Sequence, residues 1–243
     1  MLKAIRQGTR RKLAWIGKRF VAPMTVRLHR RPTEKAGNVT VHMLLSERTW
    51  DAGMLAAASL EHQSGRCWDF FFHDDGTLGE KISARMQKIF ADSRIVRRTE
   101  ADAKAGELLK NHAKCLCHRD SHNLFLKFFD FAAWAPRERF VVLDSDVIFF
   151  RPPTEIMEWV ESGSSEYRYN EDTNEKYCIP RGYLEPELGV SMWPRVNSGL
   201  VLVPHEAVSL SLAEELLSKF ESNAHHPQFF EQTLYGLMGS VWG

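Results

Sequence analysis

The chain has 243 residues, of which 44% are hydrophobic, 26% charged and 11% aromatic. That composition excludes a disordered, collagen-like or disulfide-scaffold protein, and the length suffices to bury one core. No apolar run approaches the roughly 18 to 20 residues that span a bilayer, so an integral membrane protein is excluded, and four cysteines in so long a chain point to a reducing compartment.

The formal net charge of +1 is a cancellation. Residues 1–31 hold ten Lys and Arg and no acid, which leaves 22 basic against 31 acidic side chains in the rest, a balance of −9. Leu2, Ile5, Leu13, Ile16 and Phe20 recur at near-helical spacing among those cations, and Trp15 adds an interfacial aromatic. The pattern predicts a basic amphipathic helix on an anionic membrane surface. A solvated helix, or one packed on its own domain or a partner, is the alternative. A signal peptide does not fit, because no apolar stretch of 7 to 15 residues follows the charges. Nucleic acid is not expected as a partner, since the body is acidic and offers no basic groove.

After a linker over 32–38, the apolar, partly β-branched run Val39–Leu45 predicts a buried strand. A helix is expected over Trp50–His62 with Gly65 as its stop, then a strand over Trp68–His73 closed by the turn Asp74-Asp75-Gly76. A helix over Glu80–Phe90, a short strand over Arg94–Arg97, a helix over Ala101–His112 and an aromatic-rich helix over Leu124–Trp134 follow. Phe140–Leu143 then reads as a strand buried on both faces, running into Asp144-Ser145-Asp146. Short strands alternating with helices of about ten residues predict an α/β domain with a mostly parallel sheet, whose ligands sit outside the carboxyl ends of its strands. Ser46, Glu47, Asp74, Asp75, Asp144 and Asp146 occupy those ends.

Asp144 and Asp146 are the strongest clue. Two acids closing an apolar strand need positive charge nearby, and at i and i+2 on a strand both would face one ion. Hard oxygen ligands favour Mg2+ or Mn2+ bound together with the oxygens of a diphosphate. The alternative is a turn that caps the next element.

The flanks narrow this. Phe140-Val141-Val142-Leu143-Asp144-Ser145-Asp146-Val147-Ile148-Phe149-Phe150-Arg151-Pro152 resembles the metal-binding strand of nucleotide-sugar glycosyltransferases of the GT-A fold. Val196-Asn197-Ser198-Gly199-Leu200 is similar to their Asn-Ser-Gly strand, and Phe230-Glu231-Gln232-Thr233 to the acid-Gln helix of family 8-like, retaining members. The resemblance spans 39–243 and implies a GT-A, Rossmann-like domain that moves a sugar from a nucleoside-diphosphate donor to a glycan or lipid-linked acceptor. By the same resemblance, Asp144 and Asp146 are implied to hold the metal, with Asp144 and Ser145 also near the donor. Asn197, Glu231 and Gln232 are implied to line the sugar site. Ser46, Glu47 and Asp75 are candidates for the nucleotide, and Lys127 for a phosphate contact, the alternative for Lys127 being a solvated lysine. Enzymes of this type take a third ligand, a His, from beyond the acid-Gln helix. Here only eleven residues follow Gln232, so the expectation is either a truncated chain or two protein ligands completed by water. The basic arm would place the enzyme in the cytoplasm at the inner membrane face.

Three other readings compete. A haloacid-dehalogenase-like phosphatase also places Asp-x-Asp after a strand, but Val147-Ile148 replaces the expected Gly-Thr, and His73 stands where Asp74-Asp75-Gly76-Thr77-Leu78 would need a nucleophile. A pyrophosphorylase needs a glycine-rich loop that Ser46-Glu47-Arg48-Thr49-Trp50 lacks. A membrane-attached scaffold with a degenerate transferase fold is the non-enzymatic alternative. Cys115 and Cys117 would diverge by about 200° on a helix, which disfavours a zinc site. His225-His226-Pro227 reads as a helix entry, Ser162–Lys176 as a solvated loop, and Tyr167, Tyr169, Tyr177, Tyr183 and Trp193 as either packing or an acceptor platform.

Overall fold

A computed structural model of the chain describes residues 29–224 and 226–243. The arm over residues 1–28, with its amphipathic pattern, lies outside the described residues, as does His225. In chain order the elements are β1 (Lys35–Leu45), α1 (Trp50–Ser64), β2 (Cys67–Asp74), α2 (Glu80–Ile89), β3 (Arg94–Val96), α3 (Arg98–Leu108), α4 (Ala113–Ser121), α5 (Leu124–Trp134), β4 (Arg139–Leu143), α6 (Thr154–Glu161), β5 (Arg168–Glu171), α7 (Arg181–Leu188), β6 (Val196–Pro204), α8 (Leu210–Phe220) and α9 (Phe230–Trp242).

The six strands form one sheet in the order β3-β2-β1-β4-β6-β5. β3, β2, β1 and β4 pair in parallel, and β6 runs antiparallel to both β4 and β5. The expected mostly parallel sheet is therefore present with one reversed strand. That reversal matters for function: the start of β6 meets the end of β4, with Leu143 opposite Leu200.

The pleat sorts the core into two layers. Val41, Met43 and Leu45 of β1, Phe70 and Phe72 of β2, and Val141 and Leu143 of β4 face α1, α2 and α6. Phe140 and Val142 of β4, with Val201 and Val203 of β6, face the layer of α5, α8 and α9. α9 is buried along most of its length, from Phe230 to Gly239. α1 ends as expected at Gly65, in the left-handed region at φ 65°.

Under the α5 layer, His42 Nδ1 lies 2.9 Å from His73 Nε2, and Thr40 Oγ1 lies 3.0 Å from His42 Nε2. Burial holds both imidazoles neutral and pushes His73 down to about 3. The segment that invites a phosphatase reading is thus headed by an imidazole enclosed in the core.

Four expectations need correction. β1 begins at Lys35, so most of the supposed linker over 32–38 is strand, paired through Lys35 with Cys67. His29 and Arg31 belong to the body rather than to a separate arm: both bond to the buried Glu61, and Arg31 also bonds to the Trp68 carbonyl at 2.7 Å. The charged stretch Ser162–Lys176 contains edge strand β5, which its polar sequence hides because an edge strand can face solvent. Asp144-Ser145-Asp146 is not strand but a turn, closed by Val147 N–H donating to the Asp144 carbonyl at 3.2 Å. Among the described residues no helix is long and apolar enough to cross a membrane.

Candidate active site

The carboxyl edge of the sheet gathers the predicted groups in the order in which the strands lie. β2 ends at Asp74 with Asp75 next, Ser46 and Glu47 follow β1, and Asp144 follows β4, while Asn197 is the second residue of β6 and Asp172 follows β5. With neighbouring strands about 4.8 Å apart, the β2 and β4 ends stand about 10 Å from each other.

At the β1–β2 end the groups hold one another. Glu47 N–H donates to Thr77 Oγ1 at 2.9 Å, and the Thr77 hydroxyl donates to Asp75 Oδ1 at 2.6 Å. Asp75 Oδ2 accepts from Asn123 Nδ2 at 3.3 Å, just before α5. The Ser46 hydroxyl lies 2.9 Å from Thr49 Oγ1 and accepts from Arg48 N–H, so it is spent on the entry to α1. Asp74 accepts from the N–H groups of Gly76 and Leu78 and shapes the turn. The side chain of Glu47 is exposed.

The β4–β6 end is built around Lys127, from the second turn of α5. Its ammonium is buried, 2.8 Å from Asp144 Oδ1, 3.1 Å from Glu231 Oε1 and 3.3 Å from the Ser198 carbonyl. Of these, the Ser198 carbonyl accepts a hydrogen bond, while the two carboxylates hold the ammonium as ion pairs. Lys127 is therefore not a solvated lysine: its ammonium joins two acids. Burial works against its charge, but Glu231 and Asp144 outweigh that and hold its pKa above the ordinary lysine value. The Glu231 carboxyl is raised by burial and by the nearby Asp144 charge, against the pull of Lys127. Glu231 Oε2 accepts from the Ser198 hydroxyl at 2.9 Å, whereas Oε1 faces Lys127 without an aligned hydrogen bond. Tyr235, one turn along α9, donates to the Lys127 carbonyl at 2.8 Å and locks α9 to α5.

Asn197 is fixed at both ends of its amide. Oδ1 accepts from Gly199 N–H at 2.8 Å, and Nδ2 donates to Asp172 Oδ2 at 3.3 Å. Gly199 is required here by space: a Cβ would fall 2.8 Å from Asn197 Oδ1 and 3.3 Å from Asp144 Oδ2. The same contact shows how closely the asparagine and the first aspartate approach. Gln232 donates to the Lys176 carbonyl at 2.7 Å, and its Oε1 lies 3.5 Å from Ser198 N. Asp146 is exposed and Ser145 half-buried, on the turn just beyond Asp144.

Asp172 is the site residue that sequence reasoning missed. It accepts from Thr173 N–H, Asn197 and Lys176, and its own N–H donates to the carbonyl of Arg195, a non-glycine residue at φ 51°. Its only signal in sequence was one acid among several in a polar stretch. Only the antiparallel register of β5 on β6, with Asn170 opposite Asn197, brings it to the site.

The acceptor platform is reduced by the structure. Tyr167 and Tyr177 are buried, and Tyr169 stacks on Trp193 at 5.1 Å, whereas Tyr183 is 69% exposed. Cys115 is buried and Cys117 exposed, as the helical spacing requires. Pro227–Phe229 forms a short helical turn into α9, in keeping with a helix entry.

Among the described residues no cluster of three or more His, Cys, Asp and Glu side chains could hold a metal ion. The donor set that remains, Asp144 and Asp146, is still the kind that takes Mg2+ or Mn2+ when substrate oxygens complete the shell. Around it, Asp144, Asp146, Asp172 and Glu231 carry four carboxylates against the ammonium groups of Lys127 and Lys176. A diphosphate approaching such an edge needs a further cation, so the residues present fit one.

No known family description matches the sequence, and no curated protein resembles it significantly. The fold does have counterparts among solved structures. Mouse xyloside xylosyltransferase 1 superposes with a TM-score of 0.54 at 12% identity, over 83% of this chain and 81% of that one. Core-mannan synthase A of Aspergillus fumigatus, solved in a Mn/GDP form, gives 0.54 at 10% identity, over 86% and 75%. The bifunctional glycosyltransferase WbbM gives 0.51 at 12% identity, over 87% of this chain and 38% of that one. The chain thus has a mixed α/β fold, a six-stranded sheet with flanking helices, that matches glycosyltransferases of the GT-A type.

Proposed function

We propose that this chain is a glycosyltransferase that uses Mn2+ or Mg2+ to move a sugar from a nucleoside-diphosphate donor to a glycan or lipid-linked acceptor. One observation carries the reading: Asp144, Asn197 and Glu231, from three distant segments, meet at one strand edge around Lys127. The glycosyltransferase names of the fold's counterparts support it.

Asp144 and Asp146 would hold the cation, which when bound stabilises charge on the departing diphosphate as a Lewis acid. Ser46, Glu47 and Asp75 line the β1–β2 end and would receive the nucleoside, with Ser145 beside the diphosphate. Asn197, its amide already oriented, would present its second N–H to the sugar. Glu231 and Gln232 enclose that sugar from α9, where a buried carboxylate orients a hydroxyl or faces the developing positive charge at the anomeric carbon. The acid-Gln helix motivates the family 8-like assignment and retention of anomeric configuration. The basic segment 1–28 would hold the enzyme on an anionic surface at the cytoplasmic membrane face, and deleting it should abolish co-sedimentation with anionic liposomes.

The test is hydrolysis of a panel of nucleotide sugars with and without Mn2+, run beside thermal shift. Expected is metal-dependent turnover of one donor, reduced about a hundredfold, or ~2.7 kcal/mol of barrier, by Asp146→Ala in a protein that still folds. Equal rates in wild type and Asp146→Ala would sink the reading and leave the scaffold.

A further inference from the structure

The placement of Lys127 has a consequence for the order in which the site assembles. One ammonium serves two carboxylates of unlike exposure: the Asp144 side chain is 37% exposed, the Glu231 side chain 5%. The ammonium pairs with both acids, 2.8 Å from the Asp144 oxygen of the acid assigned to the cation and 3.1 Å from Glu231 Oε1, which has no other hydrogen-bond partner. A divalent cation held by Asp144 would repel the ammonium and compete with it for the same carboxylate. Among the described residues the one other anion within reach of Lys127 Nζ is Glu231, already 3.1 Å away.

We propose that Lys127 is a positioning residue that acts as an exchangeable counter-ion, passing from Asp144 to Glu231 when the donor's cation binds. The inference rests on the transferase reading above. It ties the sugar-side acid to the loaded state, because Glu231 gains a full partner only after the cation has taken Asp144. By linkage the coupling is reciprocal: whatever strengthens the hold of Glu231 on Lys127 strengthens cation binding at Asp144.

The sign of the effect separates this role from ordinary packing. A lysine that merely orients Asp144 would help the metal to bind, whereas a lysine that must be displaced opposes it. The probe is Mn2+ alone, titrated into the full chain and followed by electron paramagnetic resonance and water-proton relaxation, with melting curves on every variant. Lys127→Met is expected to bind Mn2+ about fivefold or more tightly than wild type. Glu231→Gln, isosteric and able to keep the Ser198 bond, is expected to bind about tenfold more weakly, because Lys127 then has nowhere else to go. In Lys127→Met/Glu231→Gln the second substitution should have little further effect.

Weaker Mn2+ binding in Lys127→Met, unchanged binding in Glu231→Gln, or additive effects in the double variant each overturn the counter-ion exchange while leaving the metal site standing. If Lys127→Met does not fold, Glu231→Gln decides alone. No Mn2+ signal in wild type, or none abolished by Asp146→Ala, overturns the metal-site reading and this inference with it.

Discussion

Two buried clusters of opposite charge lie three residues apart on α5, and they are built differently. Arg119 and Asp130 are each 1% exposed and pair through two bonds, Nε to Oδ1 at 2.6 Å and Nη2 to Oδ2 at 3.1 Å. The remaining Nη1 reaches Asp102 and Asp120, each at 2.9 Å. A planar guanidinium fork closes on a carboxylate in this way. The Lys127 cluster instead shares one compact ammonium between two acids, one of which opens to the cleft. The first cluster clamps α4 and α3 to α5 and has no unmet demand. The second is short of positive charge, as expected where a ligand brings its own.

The largest effect expected on stability comes from the closed cluster. Arg119→Met leaves Asp130 buried without a partner and should cost about 3 to 5 kcal/mol, read from urea unfolding. Mn2+ affinity of the folded protein should stay near wild type, because Arg119 touches none of the site acids. A small stability change would mean that Asp130 is neutral in the native state, and the contrast between closed and open clusters would fall.

A third buried carboxylate sharpens the contrast through pH. Glu61 is fully buried and accepts from Arg31 at 2.7 and 3.0 Å and from Trp68 N–H at 3.1 Å, with His29 at 2.8 Å. Burial pushes this carboxyl upward, but His29, Arg31 and the Trp68 N–H together hold it below the ordinary glutamate value. A carboxylate whose native pKa is depressed contributes stability above its unfolded pKa and loses it as pH falls through the native value. Glu61→Gln should therefore cost about 2 kcal/mol near neutral pH, with the gap to wild type closing below about pH 4. A gap that stays constant over that range would assign the loss to shape rather than charge.

Much of this was legible in sequence, for reasons that differ by element. β1, β2 and β4 are apolar because both faces are covered, and the helices between them carry their own stops, so Gly65 and the turn at Asp74-Asp75-Gly76 could be read directly. Asp144, Asn197 and Glu231 were found by motif, and the sheet does bring them together. What could not be read was pairing. β5 is an edge strand with polar residues, and nothing local distinguishes it from a loop. The burial of Lys127 depends on α9 covering α5, a contact between residues 108 apart in sequence. The bonds of Glu61 to His29 and Arg31 likewise tie positions about thirty residues apart, so local charge alone grouped His29 and Arg31 with the basic arm rather than with the body.

The smallest expected effect concerns Asp172, the open cluster's outermost acid. Its bond to Asn197 Nδ2 fixes which way that amide points, while Gly199 N–H holds the other end. Asp172→Ala removes the first restraint and leaves β5 paired through its backbone. The turnover number should then fall about fivefold, or ~1 kcal/mol of barrier, with KM for the donor and the melting temperature little changed. Asp172→Asn keeps an acceptor oxygen at the same reach and should recover most of the rate, because orientation rather than charge is what the amide requires. If both variants lose rate equally, the charge matched to Lys176 matters more than the direction of Asn197. If both lose stability together with rate, Asp172 acts through the β5 edge, and the open cluster ends at Asn197.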